Sequence, residues 1–355
     1  MERTARRFLE DLLRTPGPSG FEGPVQDLWR DHVQRLAGKV ERDVHGNQWA
    51  TIPGRSDRSL VLAGHADEVG LIVQYIDDEG FIFLRPIGGV DPAVLPSQWA
   101  TILGRKGPVR GVFGRRAHHL REKEGDEKTP RLEDMPIDIG ASGRTDALKR
   151  LEIGDPVVFG AGMETLGGSF ASARNFDNRI GCFIVAEVLQ VLSARGARPG
   201  FTVHGISTVQ EETGLKGAGN LARRLSPAAA IAIDVTHDTH HGGVKIQKHG
   251  DIRCGKGPAL TRGVRTSKVL FEEIRSLAAK SRIPHQIETD LGSTHTDADA
   301  ISESLEGIPV AVVSIPCRYM HTSCEVVHLG DVEKTVELLS KAAARMDPEK
   351  DFSLR

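Results

Sequence analysis

Ser59-Leu60-Val61-Leu62-Ala63-Gly64-His65-Ala66-Asp67-Glu68 is the stretch on which the reading of the chain turns. Its first five residues are short and aliphatic, the signature of a strand buried on both faces, and the run then stops at a glycine and releases one histidine and two acids. The same pattern returns three times. Phe201 to Val209 leads into Gln210-Glu211-Glu212, Ala228 to Ile233 runs into Asp234, and Ile308 to Ile315 leads, after Pro316, to His321. Between these runs lie helical segments near Asn178 to Leu192, Leu215 to Leu225, Thr266 to Ser281 and Asp331 to Ala344. The alternation predicts an α/β fold with a mainly parallel, mixed sheet flanked by helices. Ligands of open α/β sheets sit beyond the carboxyl ends of the strands, so these histidines and acids are expected to converge.

Two amphipathic helices are expected ahead of this unit. Phe8, Leu9, Leu12 and Leu13 share one face of the first, and Val25, Leu28, Trp29, Val33 and Leu36 one face of the second. Pro24 suits a first helical position and Gly38 a C-terminal cap. A hairpin is expected around Val44 to Ile52. From about Val69 to Phe159 the texture changes to short alternating segments punctuated by Gly and Pro, which predicts an all-β insertion. The expected division is a discontinuous catalytic domain of residues 1–68 and 169–355 with a β-rich domain, 69–168, inserted in it. Arg121 to Asp134 mixes charges with no apolar period and reads as a solvated loop.

Composition narrows the class. The chain has 355 residues, more than one core usually holds, and 46 Lys and Arg against 48 Asp and Glu leave a formal charge of -2. Such a balance sets up no field for nucleic acid or an anionic membrane surface. Met1 to Arg14 lacks the uninterrupted apolar stretch of a signal peptide or membrane span, and four scattered cysteines make no disulfide framework. The expectation is a cytoplasmic protein.

His65, Glu211, Glu212, Asp234 and His321 therefore form one expected cluster. Charges taken out of water need each other or a metal, and imidazole with carboxylate suits Zn, Co or Mn. Two metals about 3.5 to 4 Å apart also need an anionic bridge. Asp177, in Arg174-Asn175-Phe176-Asp177-Asn178-Arg179 just before a helix, is the candidate. Taken singly, each residue has a plainer reading. Asp177 could be an N-cap, Asp234 a cap or turn, either histidine a loop residue, and the glutamate pair a solvated face.

Five segments together carry a resemblance. His65-Ala66-Asp67-Glu68-Val69-Gly70, Arg174 to Arg179, Gln210-Glu211-Glu212, Ile233-Asp234-Val235-Thr236 and Arg318-Tyr319-Met320-His321-Thr322 closely resemble, in order and spacing, the motifs of the M42 family of metallo-aminopeptidases. The resemblance spans nearly the whole chain. It implies two divalent ions, zinc or cobalt, one held by His65, Asp177 and Asp234 and the other by Asp177, Glu212 and His321. It also implies Glu211 as general base and Asp67 as the residue orienting His65. The substrate would be a peptide with a free N-terminus, attacked by a metal-bridging hydroxide. The insertion would be a barrel-like dimerisation domain, and the dimers would build a dodecamer.

Two segments depart from the pattern or stand outside it. His295 occupies a place where a small residue is expected before Thr296-Asp297, and His237, His240 and His241 form a histidine tract read as a solvated loop. Two other functions would use parts of the same residue set. A glycoside hydrolase, endoglucanase-like, could use paired carboxylates, but 3 Trp and 2 Tyr are few for a sugar groove and the histidines would be idle. A non-enzymatic zinc-binding protein could use Cys317, His321 and Cys324, but it lacks a fourth ligand.

Overall fold

A computed structural model of the chain describes residues 1–120, 130–196 and 198–353. The chain opens with helices α1 (Arg3–Arg14) and α2 (Gly23–Ala37), then the hairpin β1 (Val40–Arg42) and β2 (Gln48–Ile52), and then β3 (Ser59–His65). The barrel strands follow: β4 (Gly70–Ile76), β5 (Ile82–Ile87), β6 (Trp99–Gly104), β7 (Gly107–Phe113), β8 (Ile137–Asp138) and, past the short α3 (Arg144–Ala147), β9 (Pro156–Phe159). Next come β10 (Glu164–Thr165), β11 (Phe170–Ala173), α4 (Phe176–Ser193), β12 (Thr202–Thr208), α5 (Lys216–Leu225), β13 (Ala229–His237) and α6 (Ile246–His249). The last third holds β14 (Ala259–Gly263), α7 (Lys268–Lys280), β15 (Gln286–Asp290), α8 (Asp297–Ser302), β16 (Val310–Arg318), β17 (Glu325–His328) and α9 (Leu329–Arg345).

The expected architecture is present. The sheet runs β1-β2-β12-β3-β13-β16-β17-β11-β10, with β14 and β15 joined to the side of β16. Its centre, β12-β3-β13-β16, is parallel, and antiparallel strands close both edges, so the sheet is mixed. One face packs against α1, α2, α4, α7 and α9 through Phe8, Trp29, Phe183, Phe271 and Leu338. The other face packs against α5 and α8 through Leu221 and Ile301. All seven residues of β3 are buried, as a strand covered on both faces requires. The strands β4-β5-β8-β7-β6-β9 close a six-stranded barrel with its own apolar interior, including Leu71, Ile102, Phe113 and Val157.

Several boundaries differ from the sequence expectations. The hairpin turn lies at Asp43 to Asn47, where Asp43 Oδ1 accepts the N–H groups of His45, Gly46 and Asn47. The strand expected over Ile308 to Ile315 is Val310–Arg318 and carries through Pro316, opposite Thr236 of β13. Strands β14, β15 and β17 had no apolar run to announce them. Of the mixed-charge run, residues 121–129 lie outside the described residues, and Leu132–Asp134 forms a single 3-10 turn.

Candidate metal centre

Strand register brings the site together. On the parallel strands His65 stands opposite Thr208, the last residue of β12, so the loop carrying Glu211 and Glu212 begins level with His65. Asp234 lies near the carboxyl end of the adjacent β13, level with Ser314 of β16. Helix α4 reaches this edge because two glycines let it lie against β3. A Cβ on Gly64 would come within 2.5 Å of the Gly181 carbonyl carbon. Asp177 and Asn178 keep non-helical dihedrals inside the first turn of α4, so Asp177 sits in a distorted turn rather than ahead of the helix. Asn178 Nδ2 donates to Ile233 O and Asn178 Oδ1 accepts from Gly181 N, which locks that turn to β13.

All seven sequence-chosen residues meet at one place. Asp177 Oδ1 is 3.3 Å from His65 Nε2, and Asp177 Oδ2 is 3.2 Å from His321 Nε2. His65 Nε2 also lies 3.8 Å from both Glu211 Oε2 and Asp234 Oδ1, and His321 Nε2 lies 3.4 Å from Glu212 Oε1. Each histidine spends its other nitrogen elsewhere. His65 Nδ1 is 3.2 Å from the Asp67 carbonyl and 3.4 Å from Asp67 Oδ1, and His321 Nδ1 is 3.0 Å from the Gly89 carbonyl in the loop after β5. A proton on each Nδ1 leaves each Nε2 lone pair facing the carboxylates, the tautomer a metal ligand needs. Asp67 does more than face His65. Its Oδ1 accepts the Glu211 N–H, and its Oδ2 accepts the Glu212 N–H and the Ser19 hydroxyl.

The charge balance at this point is strongly negative. Burial pushes the Glu211 carboxyl up to about 10, with Asp234 and Asp297 adding to it against the pull of His65. Burial likewise raises Asp234 and Glu212, with Asp177 adding repulsion to both. Burial also favours neutral His321, yet Asp177 and Glu212 hold it up at about 11. Asp177 goes the other way: burial opposes its charge, but its bonds to His321 and His65 bring its carboxyl below the usual range. Glu212 Oε1 is buried and accepts no well-formed hydrogen bond. Acids raised, imidazoles raised and an orphaned oxygen are the marks of a site short of positive charge, and divalent cations fit it. Two metal-capable groups stand out among the described residues: His65, Glu211 and Asp234, and His65, Asp177 and Glu212. Cys317 is buried, Cys324 is exposed, and neither belongs to such a group.

Residues that the sequence did not single out frame the centre. Buried Glu325 accepts the Asp177 N–H at 3.0 Å and the His321 N–H at 2.9 Å, so one side chain sets the backbone of both. A lone acid opening an otherwise apolar strand, Glu325-Val326-Val327, was the available signal. Glu68 pairs with Arg174 and Arg179, and Arg179 donates to the Leu12 and Gly17 carbonyls, tying the end of α1 and the segment after it to the back of the site. Asn175, Gln210, Leu215, His295, Tyr319 and His321 all hold positive φ around the centre. Such residues cost about 1–2 kcal/mol each and collect at functional sites. His295 is exposed on the cavity wall, as is His237, whereas His240 pairs with Asp251 and Arg253 and His241 packs on Tyr319.

A mixed α/β sheet with an attached barrel and a His/carboxylate centre at its carboxyl edge defines the class as a peptidase hydrolase. The family model described as M42 glutamyl aminopeptidase matches residues 46–338. The lysyl aminopeptidase of Pyrococcus furiosus is 31% identical, over 96% of this chain and 97% of its own. A solved aminopeptidase from the archaeon Desulfurococcus kamchatkensis is 33% identical with a TM-score of 0.92, covering 99% of this chain and 98% of that one. The Pyrococcus horikoshii TET1 peptidase, which can assemble into a tetrahedron or a large octahedral shell, is 30% identical with a TM-score of 0.86, covering 96% and 100%. The chain belongs to the M42 family of aminopeptidases. The aminopeptidase names of these relatives favour the peptidase reading over the glycosidase and structural-zinc ones. Among the described residues no helix is long and apolar enough to cross a membrane.

Proposed function

We propose that the protein is a two-metal aminopeptidase that removes N-terminal residues from peptides, with His65, Asp177 and Asp234 holding one zinc or cobalt ion and Asp177, Glu212 and His321 the other. The observation that carries this reading is the placement of Asp177, whose two oxygens face two different histidines at 3.3 and 3.2 Å. Bound divalent ions would supply Lewis acidity, making a water acidic near neutral pH and polarising the scissile carbonyl.

The chain's own groups do the rest. Glu211 Oε2 takes a proton from the attacking water and returns it to the leaving amine, which requires that Glu211 stay free of the metals and that their charge bring its carboxyl, raised by burial, back to the ionised form. The hydrogen bonds from the Glu211 and Glu212 N–H groups to Asp67 hold both side chains in register with His65. Spare carboxylate oxygens bind the substrate's free α-ammonium group, which confines cleavage to the first peptide bond. Metal analysis of purified Glu211→Gln, with assay against an aminoacyl anilide, tests the division of roles: retained metal with lost turnover is expected, and retained turnover would refute the assigned base.

Residues 69–168 serve, in this reading, as a dimerisation domain inserted into a catalytic domain of residues 1–68 and 169–355. The closed barrel of β4 to β9 with its separate interior supports that division. The dimers build a dodecamer, a reading supported by the shells that the Pyrococcus horikoshii relative forms. Four unpaired cysteines suit a reducing cytoplasm. The names of the relatives, glutamyl for the family model and lysyl for the Pyrococcus furiosus enzyme, leave the preferred side chain open.

A further inference from the structure

The cavity that contains the centre encloses about 690 Å³ and runs on past Asp234 to Thr236, Thr261, Glu288 and Asp290. Asp234 and Thr236 are two residues apart on β13, so they share a face of the sheet and lie roughly 7 Å apart along the strand. Thr236 Oγ1 donates to Glu288 Oε2 and Thr261 Oγ1 donates to Glu288 Oε1, each at 2.6 Å. The Glu288 carboxylate is thereby oriented from both sides without being neutralised, and each oxygen keeps acceptor capacity. Asp290, 7% exposed, lines the same cavity: its Oδ1 accepts the N–H groups of Val264, Arg265 and Gly292, while its Oδ2 has no partner. No Lys or Arg is among the described residues that line this cavity. Arg265, on the adjoining loop, turns its guanidinium to Glu303 and Asp299.

We propose that the part of the cavity around Glu288 receives the side chain of the substrate's first residue and selects a cationic one, lysine or arginine, with Glu288 as the specificity-determining residue. The proposal rests on the aminopeptidase reading above. With the α-ammonium group held among the carboxylates of the centre, the first side chain has the span toward Thr236 to occupy. A lysine or arginine stem covers that span, and its cationic head arrives at an acceptor that two threonine hydroxyls already hold in place, so little ordering remains to oppose binding. A glutamate side chain would instead set one anion against another on a wall with no lysine or arginine among its described residues to receive it. Leucine gains neither the pairing nor the repulsion and falls between them.

The test is a panel of Lys, Arg, Leu and Glu p-nitroanilides hydrolysed by the cobalt-loaded full-length enzyme, with calorimetric titrations of lysinamide and glutamic acid α-amide. Expected are kcat/KM values for Lys and Arg at least tenfold above Glu, lysinamide binding at least tenfold tighter than glutamic acid α-amide, and a Lys:Leu ratio of kcat/KM that falls at least tenfold in Glu288→Gln. Turnover of Leu with Glu preferred over Lys overturns the proposal, as does a Lys:Leu ratio that Glu288→Gln leaves in place. If none of the four anilides is cleaved, the aminopeptidase reading fails on its own, and equal binding of the two amides then overturns the role of Glu288 separately. The wild-type measurements decide the matter even if the variant does not fold.

Discussion

Asp177 Oδ2 lies 3.2 Å from His321 Nε2 while the other oxygen of the same carboxylate faces His65, a residue that enters the site from the opposite end of the chain. In the two-metal reading proposed above, a carboxylate split in this way between two imidazoles serves two cations rather than one. Everything proposed for the reaction follows from that arrangement, and the neighbouring side chains make it testable at several points.

Glu211→Gln removes the proton acceptor and keeps the shape of the side chain. Turnover should fall by about a thousandfold or more, within the range for a lost general base together with a lost charge. Metal content by plasma mass spectrometry should match the wild type. A variant that has lost metal would make Glu211 a ligand, in keeping with its place beside His65 and Asp234.

Glu325 acts on the main chain of the centre, accepting the N–H groups of Asp177 and His321 together. Glu325→Ala should weaken metal affinity by about 10- to 100-fold, the usual effect of removing a partner that orients ligands. The readout is a competition titration with a chelator. Unchanged affinity would mean that α4 and the turn between β16 and β17 hold the two ligands without it.

Gly64→Ala tests the close approach of α4 and β3. The new methyl would sit 2.5 Å from the Gly181 carbonyl carbon and 2.9 Å from the Cys182 nitrogen, backbone atoms that cannot step aside. Overpacking of this kind costs about 1–3 kcal/mol. Urea unfolding should show that loss, and the displaced Asp177 should lower metal occupancy with it.

His32 stacks on Phe8 with ring centroids 3.6 Å apart and an interplanar angle of 4°. Burial, helped by the charge of Arg35, lowers its pKa to about 4. The unfolded chain takes up this proton below about pH 6.5, whereas the folded chain resists it until about pH 4. The stability that neutral His32 allows is therefore complete above about pH 6.5 and is lost as the pH falls through that window. The ring is only half-buried and water screens part of the effect, so His32→Phe should remove about 1 kcal/mol of the destabilisation seen between pH 7 and 5. Denaturant melts of both proteins across that range give the difference directly, and parallel curves would contradict it.

Much of this was legible in the sequence because the central strands are buried on both faces. Ser59 to His65 and Ala229 to His237 carry little but aliphatic residues until the chemistry begins, so strand end and site coincide. Edge strands left no such trace. In Gln286–Asp290 buried and exposed positions mix polar residues freely, and nothing in the sequence sets Glu288 apart before Thr236 and Thr261 are seen beside it. The sequence puts Asp177 just before a helix; its place in a distorted first turn, beside an Asn178 that reaches Ile233 across 55 residues of chain, has no local signal. Ser19 acts on Asp67 and Glu325 on Asp177 through hydrogen bonds to atoms far away in sequence, partners that no local pattern encodes.

Metal stoichiometry of the wild type and of Asp177→Ala, each purified and reconstituted with excess zinc or cobalt and then desalted, tests the central claim most directly. The account predicts two ions per chain in the wild type and fewer than about 0.2 in the variant, because one side chain serves both positions. Two ions still bound after Asp177 is truncated, or a single ion lost with the other retained at full occupancy, would contradict it.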